Sequence, residues 1–412
     1  MSTPFDVIVI GGGPAGMMAA GRAAERGKRV LLLEKNPRLG VKLAMTGGGR
    51  CNITNAEENE RLLLEHYGKG AKFLFSSFAQ FGMAQTMQFF TEHGLPLVVQ
   101  AGQRAFPASL SAADVVRTLE KYLHDGKVEV RTKVVVSKVL GEQGSIRGVI
   151  VGKEKLEASS YILATGGTSH PKTGSTGDGF TWLKKLGHSI VPSTPTIVPL
   201  AVADEWVKSL AGTALDDVKI TFAIDGKKQL ALKGRILCTH FGLSGPLILN
   251  VAAKVGGMLH AGTVTAEIDV FPKLDLGSLD TYVTRIFDQN KNKEFKNVLR
   301  QLTPKGTAPA ILSLLPDHVA EQKVHSVLKD DRKTLVRVLK ALPVTITGLL
   351  GYEWAVVADG GLPVSEVENK TMRSKQYANL FITGDMLNIS RPSGGYSLQL
   401  CWTTGYVAGS YA

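Results

Sequence analysis

From residue 6 onward the chain alternates short apolar runs with amphipathic stretches. Residues 6–10 and 29–34 are compact blocks of valine, isoleucine and leucine bounded by glycine or charge, which predicts two buried strands. Residues 14–26 between them carry the helical period, with Pro14 where a first turn tolerates it. The same signals predict strands over 128–132, 133–140, 146–151 and 159–164, and helices over 111–123 and 179–186. Between 127 and 157 the strands are short and separated by Gly141-Glu142-Gln143-Gly144 and Gly152-Lys153-Glu154. That spacing predicts an antiparallel meander on one face of a parallel sheet, where a plain nicotinamide dehydrogenase would continue with βαβ units.

Pro192, Pro195 and Pro199 mark a change of pattern. Residues 197–271 alternate apolar and polar positions in strand-sized runs, and the stretch from 276 to 342 has helical periodicity, including the basic amphipathic run 334–340. At Asn379-Leu380-Phe381-Ile382-Thr383-Gly384-Asp385 a strand again ends in glycine and an acid, and a helix is expected over 397–408. The chain thus reads as an α/β cofactor domain over 1–192, a β-rich insertion over 193–275, a small helical subdomain over 276–342 and a closing part of the first domain over 343–412.

The most specific chemistry lies at Ile10-Gly11-Gly12-Gly13-Pro14-Ala15-Gly16, between the first strand and its helix. Gly11 permits the tight turn, Gly13 lets a pyrophosphate approach the backbone, and Gly16 lets helix and strand pack closely; the N–H groups at the helix start face the phosphates. Glu34, with Lys35 beside it, ends the second strand 18 residues past Gly16, where a carboxylate accepts hydrogen bonds from ribose hydroxyls. Strand, glycine turn, helix and acid together predict FAD or NAD, and the antiparallel annex favours FAD.

Three further loops fit that cofactor. Thr46-Gly47-Gly48-Gly49-Arg50-Cys51-Asn52 removes the side chains that would hold a flat ring away from the main chain, Lys42 and Arg50 supply positive charge, and Asn52 can bond ring or ribityl oxygens. Thr165-Gly166-Gly167 ends another strand in small residues, and Asp178 opens the next helix, where it serves a cofactor or simply caps the helix. Gly384 and Asp385 suit ribityl hydroxyls, and Gly394-Gly395-Tyr396-Ser397 puts a helix N-terminus where negative charge develops on a reduced flavin.

Composition adds limits. With 412 residues, 44% hydrophobic and 20% charged, the chain is an ordinary globular protein; its longest apolar runs fall short of the roughly 18–20 residues that span a bilayer. Cys51, Cys238 and Cys401 are too scattered for a disulfide framework or a metal cluster, so no metal is expected, and with no secretory signal read at the start a cytoplasmic location is expected. The 48 Lys and Arg against 36 Asp and Glu give +12, which attracts polyanions. The basic runs at Lys227-Lys228, Lys233, Arg235, residues 291–296 and 329–340 suggest that much of the excess lies in the insertion.

The assembled blocks resemble the BaiN-like (YhiN-like, aminoacetone-oxidase-like) flavoproteins over nearly the whole chain. Beside the loops above, the carriers are Thr239-His240-Phe241-Gly242-Leu243-Ser244-Gly245-Pro246, Thr371-Met372-Arg373-Ser374-Lys375 and Gly394-Gly395-Tyr396-Ser397-Leu398-Gln399. The resemblance implies a glutathione-reductase-type Rossmann-like FAD domain interrupted by a β-barrel-like domain and a small helical one. It implies one of three activities: reduction of conjugated C=C bonds in bile-acid enones, the same chemistry on a ribosomal RNA uridine, or oxidation of aminoacetone. The chain departs from the family with Asn388 and Arg391 in place of acids, which predicts a more positive flavin approach and an anionic substrate.

The expected reaction is therefore hydride transfer from FAD to a polarised double bond, with uracil C5=C6 in ribosomal RNA the first choice of acceptor. Cys51 and His240 are the candidate catalytic acids. A small-molecule oxidase or dehydrogenase, and a protein in which FAD is structural, stay open. No second glycine fingerprint is present, so the donor is expected to be either NAD(P)H, bound transiently, or a reductant that is not a nicotinamide; the oligomeric state is not legible.

Overall fold

The structure is a computed structural model that describes residues 5–412. The chain forms two compact units: residues up to 195 together with 356–412, and residues 196–355.

Unit one is built on a five-stranded parallel sheet in the order Leu380–Ile382, Ala158–Leu163, Phe5–Ile10, Val30–Leu33, Glu129–Arg131. Its central strands are buried on both faces, as parallel strands between helices must be, which is why they read as unbroken apolar runs. The helix Pro14–Glu25 follows the first strand, and the closing helix Tyr396–Tyr411 lies against it. Two glycines set that contact: a Cβ on Gly405 would fall 2.4 Å from the Ala15 carbonyl oxygen, and one on Gly409 would fall 2.3 Å from that of Ala19. The expected meander is present as the antiparallel strands Val136–Glu142, Ser145–Val151 and Glu154–Leu156.

Unit two is a closed six-stranded barrel: Leu200–Val202, Gly242–Ser244, Lys227–Thr239, Ala214–Ile224, Val264–Asp269 and Leu342–Leu349, the last pairing back onto the first. Two boundaries differ from the pattern. Residues 342–349 close the barrel rather than returning to the cofactor domain, so unit one resumes at Val356. Residues 246–261, read as strand-forming, are the helix Pro246–Ala261, with Pro246 at its first position and Ile248, Val251, Ala252 and Val255 buried. Among the described residues no helix is long and apolar enough to cross a membrane.

The charge is also distributed differently from the expectation. Unit two holds 20 Lys and Arg against 16 Asp and Glu, so only +4 of the +12 lies there, and unit one carries the larger excess. The basic runs of the insertion are answered by nearby acids. Lys340 Nζ bonds Asp269 at 2.6 Å and the carbonyls of Phe271 and Leu274, while Arg332 makes a two-pronged pair with Asp280 at 2.8 and 3.1 Å. The run 334–340 lies in the helix Lys329–Lys340, which buries Leu335, Val336 and Leu339 on one side and exposes Lys333 and Arg337 on the other.

Candidate functional site

The fingerprint turn has the backbone its chemistry needs. Gly11 sits at φ 108°, with a hypothetical Cβ 2.4 Å from the Ala164 carbonyl oxygen, and a Cβ on Gly16 would lie 1.8 Å from the Gly11 carbonyl oxygen. These two glycines are fixed by protein packing. Gly13 is different, because a Cβ there would meet no protein atom within 4 Å. It opens into a cleft within unit one whose space, counted out to the open mouth, is about 1170 Å³. What keeps Gly13 bare is space for something else, as a pyrophosphate against the backbone requires.

The cleft runs along the carboxyl ends of the parallel strands. At one end Glu34 is buried and accepts from the Gly12 N–H at 2.7 Å through Oε2 and from the Asn36 N–H at 2.7 Å through Oε1. Each oxygen keeps a lone pair for a ribose hydroxyl. Beside it Val134, Val135 and Val136 form an apolar wall suited to a flat heterocycle. Lys35 Nζ, also on the wall, donates to Thr176 Oγ1 at 2.6 Å and Asp178 Oδ2 at 2.7 Å. Asp178 therefore serves an ion pair and makes no capping bond. Burial opposes its ionisation, but Lys35 and Thr176 outweigh that and hold its carboxyl below the usual range.

At the other end lies a charged cluster. Asp385 pairs with the Arg391 guanidinium and with Lys42 Nζ at 3.5 Å, and Lys42 also donates to Ser169 Oγ at 2.6 Å. Burial alone would raise the Asp385 carboxyl; Arg391 and then Lys42 overcome it and leave the group ionised below its ordinary value. Arg391 is itself buried, donating to the Ile389 carbonyl at 2.7 Å and to Ser397 Oγ at 3.1 Å. The expected positive approach is thus corrected: Arg391 neutralises Asp385 instead of facing a substrate. Ser397 and Leu398, in the first turn of the closing helix, complete this wall with N–H groups that helix geometry leaves unpaired within the helix.

Of the sequence-derived residues, the structure brings Gly11, Gly13, Pro14, Ala15, Glu34, Lys35, Lys42, Thr46, Thr165, Gly166, Asp178, Asp385 and Ser397 to the cleft wall. Gly16, Gly167, Gly384, Gly394, Gly395 and Tyr396 do not line it: Gly384 N–H donates to Thr404 Oγ1 at 2.9 Å, and a Cβ on Gly395 would fall 2.3 Å from the Thr54 carbonyl carbon. Gly47, Gly48 and Gly49 take left-handed backbone, φ 59°, 67° and 84°, next to Thr46, and are exposed. Arg50 lies over the Phe106 ring at 4.9 Å. Asn52 holds a buried side-chain oxygen with no partner, a polar atom left for a ligand or water.

Of the two proposed proton donors, Cys51 does not line this wall and His240 belongs to unit two. Cys51 is fully buried behind the glycine turn, and burial pushes its thiol up to about 12. His240 is exposed on the turn between two barrel strands of unit two. The cysteine that does line the cleft is Cys401, also raised to about 12 by burial and then by Asp385. Together with the valine wall it was not legible as a site residue, because only the packing of the closing helix against the sheet brings it there.

The residues fit an extended dinucleotide: an open glycine for the pyrophosphate, a buried acid for a ribose, an apolar shelf at one end and a buried carboxylate with a helix N-terminus at the other. Comparison with known proteins agrees. Residues 5–411 match the family described as HI0933-like protein Rossmann domain. The chain is 30% identical over 411 residues to the 3-dehydro-bile acid delta(4,6)-reductase of Clostridium scindens, covering 98% of each protein. It is 27% identical to the ribosomal RNA dihydrouridine synthase of Escherichia coli, covering 98% of this chain and 96% of that one. Among solved structures, a 3-ketosteroid-delta4-(5alpha)-dehydrogenase from Rhodococcus jostii shares the fold with a TM-score of 0.57 at 14% identity, over 99% of this chain and 96% of the other.

Proposed function

Since the chain belongs to the HI0933-like family of Rossmann flavoproteins and is an FAD-dependent oxidoreductase, we propose that it reduces a carbon–carbon double bond conjugated to a carbonyl. The names of these two relatives describe saturation of such a bond, in a bile acid and in a uracil ring, and this shared chemistry supports the reading more than either substrate does. When bound, FAD supplies the hydride. The chain's own residues bind and orient it: Gly13 and the first helix take the pyrophosphate, Glu34 the ribose, and Asp385 the hydroxylated linker. The start of the closing helix and Lys42 would offer positive charge to the bound cofactor, whose ring gains electrons on reduction.

We take a uridine of ribosomal RNA as the substrate and NAD(P)H as the transient donor. The observation favouring RNA is that the larger part of the excess positive charge, +8 of the +12, sits on the cofactor-binding unit itself. A small apolar enone is the second reading, supported by the bile-acid reductase as the more similar of the two relatives. Mass spectrometry of ribosomal RNA from a strain lacking the gene tests the first: loss of one dihydrouridine is expected. Unchanged dihydrouridine, with flavin re-oxidation by a 3-keto-4,6-diene steroid under anaerobic conditions, transfers the assignment to the enone. Peroxide formed from aminoacetone in air would overturn both.

A further inference from the structure

Unit one carries a second concavity that plays no part in cofactor binding. It lies between the segment Gly68–Gly70 with the helix Ala71–Phe78 and the loop over 364–375, and holds about 1030 Å³ of largely open space. Four exposed lysines line it, Lys69, Lys72, Lys370 and Lys375, and none of them makes a contact ion pair among the described residues, although Lys375 lies close enough to Glu368 to act with Arg373 in holding its carboxyl below the usual range. The single carboxylate on its wall, Glu368, is neutralised by Arg373, which reaches both of its oxygens at 3.1 and 3.0 Å. Phe73 is half-buried among the lysines. The wall is also fixed in place: Ser77 Oγ donates to the Asn369 carbonyl at 2.9 Å and Gln80 Nε2 to that of Lys370 at 2.9 Å, tying the loop to the helix.

Unpaired ammonium groups at this density repel one another, and a pre-formed groove that keeps them together suits a polyanion. A flat bilayer would touch the rim of such a concavity, whereas an extended strand can lie along it. An aromatic side chain among the lysines adds a face on which a base can stack. We propose that the Lys69–Lys72–Lys370–Lys375 groove binds the phosphodiester backbone of a single-stranded segment of RNA. The proposal rests on the RNA reading above, and it gives a role to Lys375 of the Thr371-Met372-Arg373-Ser374-Lys375 block, which the cofactor site leaves unexplained.

The test is fluorescence anisotropy of a short labelled oligouridine with FAD-loaded full-length protein, from about 50 to 200 mM salt. Replacing all four lysines with glutamine is expected to weaken binding at least tenfold at low salt and to flatten the log–log salt slope by roughly 3, at about 0.7 per lysine. Flavin absorbance and melting temperature should stay at wild-type values; should the fourfold variant fail to fold, the pairs Lys69→Gln/Lys72→Gln and Lys370→Gln/Lys375→Gln each predict half the slope change. Equal binding by wild type and variant overturns the groove, as does a wild type that binds phosphatidylserine vesicles but no RNA. The RNA-reductase reading fails separately, if ribosomal dihydrouridine survives gene deletion while oligouridine binding still depends on these lysines.

Discussion

In the dinucleotide cleft each charged side chain on the wall has a partner: Glu34 takes two backbone N–H groups, Lys35 holds Asp178, and Lys42 and Arg391 hold Asp385. In the lysine groove of the same unit none of the four ammonium groups makes a contact ion pair among the described residues. A cofactor of fixed shape is best met by groups already locked in position, because reorganisation then costs little on binding. A flexible polyanion is met by exposed charges, and binding gains from the release of its counterions. Substitutions should therefore act differently in the two places: in the cleft on cofactor retention and stability, in the groove on salt-dependent binding with stability untouched.

The largest effect is expected at Gly13. Because a Cβ there points into open space, Gly13→Val should leave the apoprotein's melting temperature near wild type yet reduce FAD retention at least 100-fold, read as flavin absorbance after gel filtration. Gly16→Val is the counterpart, since its side chain would meet the Gly11 carbonyl and overpack the strand–helix contact, costing about 3 kcal/mol or more of stability. A Gly13 variant that unfolds like the Gly16 variant would show that the cleft is merely packing.

Next comes the buried cluster. Arg391→Met removes the main partner of Asp385 and should cost about 3–5 kcal/mol, as breaking a buried pair does. The pH dependence has a definite sign. A carboxyl whose folded value lies below its unfolded value of about 3.9 contributes stability that is complete above that value and is lost as pH falls through the lower folded one. The stability gap between wild type and Asp385→Asn, from urea titrations, should hold steady down to about pH 5 and narrow toward pH 2. A gap that widens on acidification would mean that Asp385 is not held ionised.

In the groove, Phe73→Ala should weaken oligouridine binding by about 1–3 kcal/mol if a base stacks on the ring, without altering the salt slope. A changed slope with unchanged affinity would assign the ring to positioning the lysines.

How much of this was legible depended on whether the constraint is local in the chain. Gly11, Gly13, Gly16 and Glu34 are fixed by one strand–turn–helix–strand unit, and the structure has the backbone that their spacing demands. The helix Pro246–Ala261 was read as strands because its residues are apolar on nearly every side, so the helical period is faint; the Gly245-Pro246 start was the signal available. Arg391 and Asp385 are six residues apart, but that Arg391 turns inward follows only from burial in the assembled unit. Basic runs are contiguous in the insertion, while their pairing with acids such as Asp269 and Asp280, and the gathering of the groove lysines from residues 69–72 and 370–375, exist only in three dimensions.

The smallest effect should come from the residue that the sequence puts forward as a proton donor. A general acid must reach its acceptor within hydrogen-bond distance, and its removal ordinarily costs about 10²–10⁴-fold in rate. Cys51 has no exposed surface, does not line the cleft, and carries a thiol pushed up to about 12, so it neither meets a substrate nor gives up its proton readily. Its φ of 58° and its place behind Thr46 mark it as part of the turn that holds Gly47 to Gly49. Cys51→Ser should accordingly keep single-turnover re-oxidation of the reduced enzyme within about twofold of wild type, with an unchanged pH profile, at a stability cost of about 1 kcal/mol. A hundredfold slower rate with a shifted profile would return the thiol to the chemistry and require the glycine turn to move when the cofactor binds.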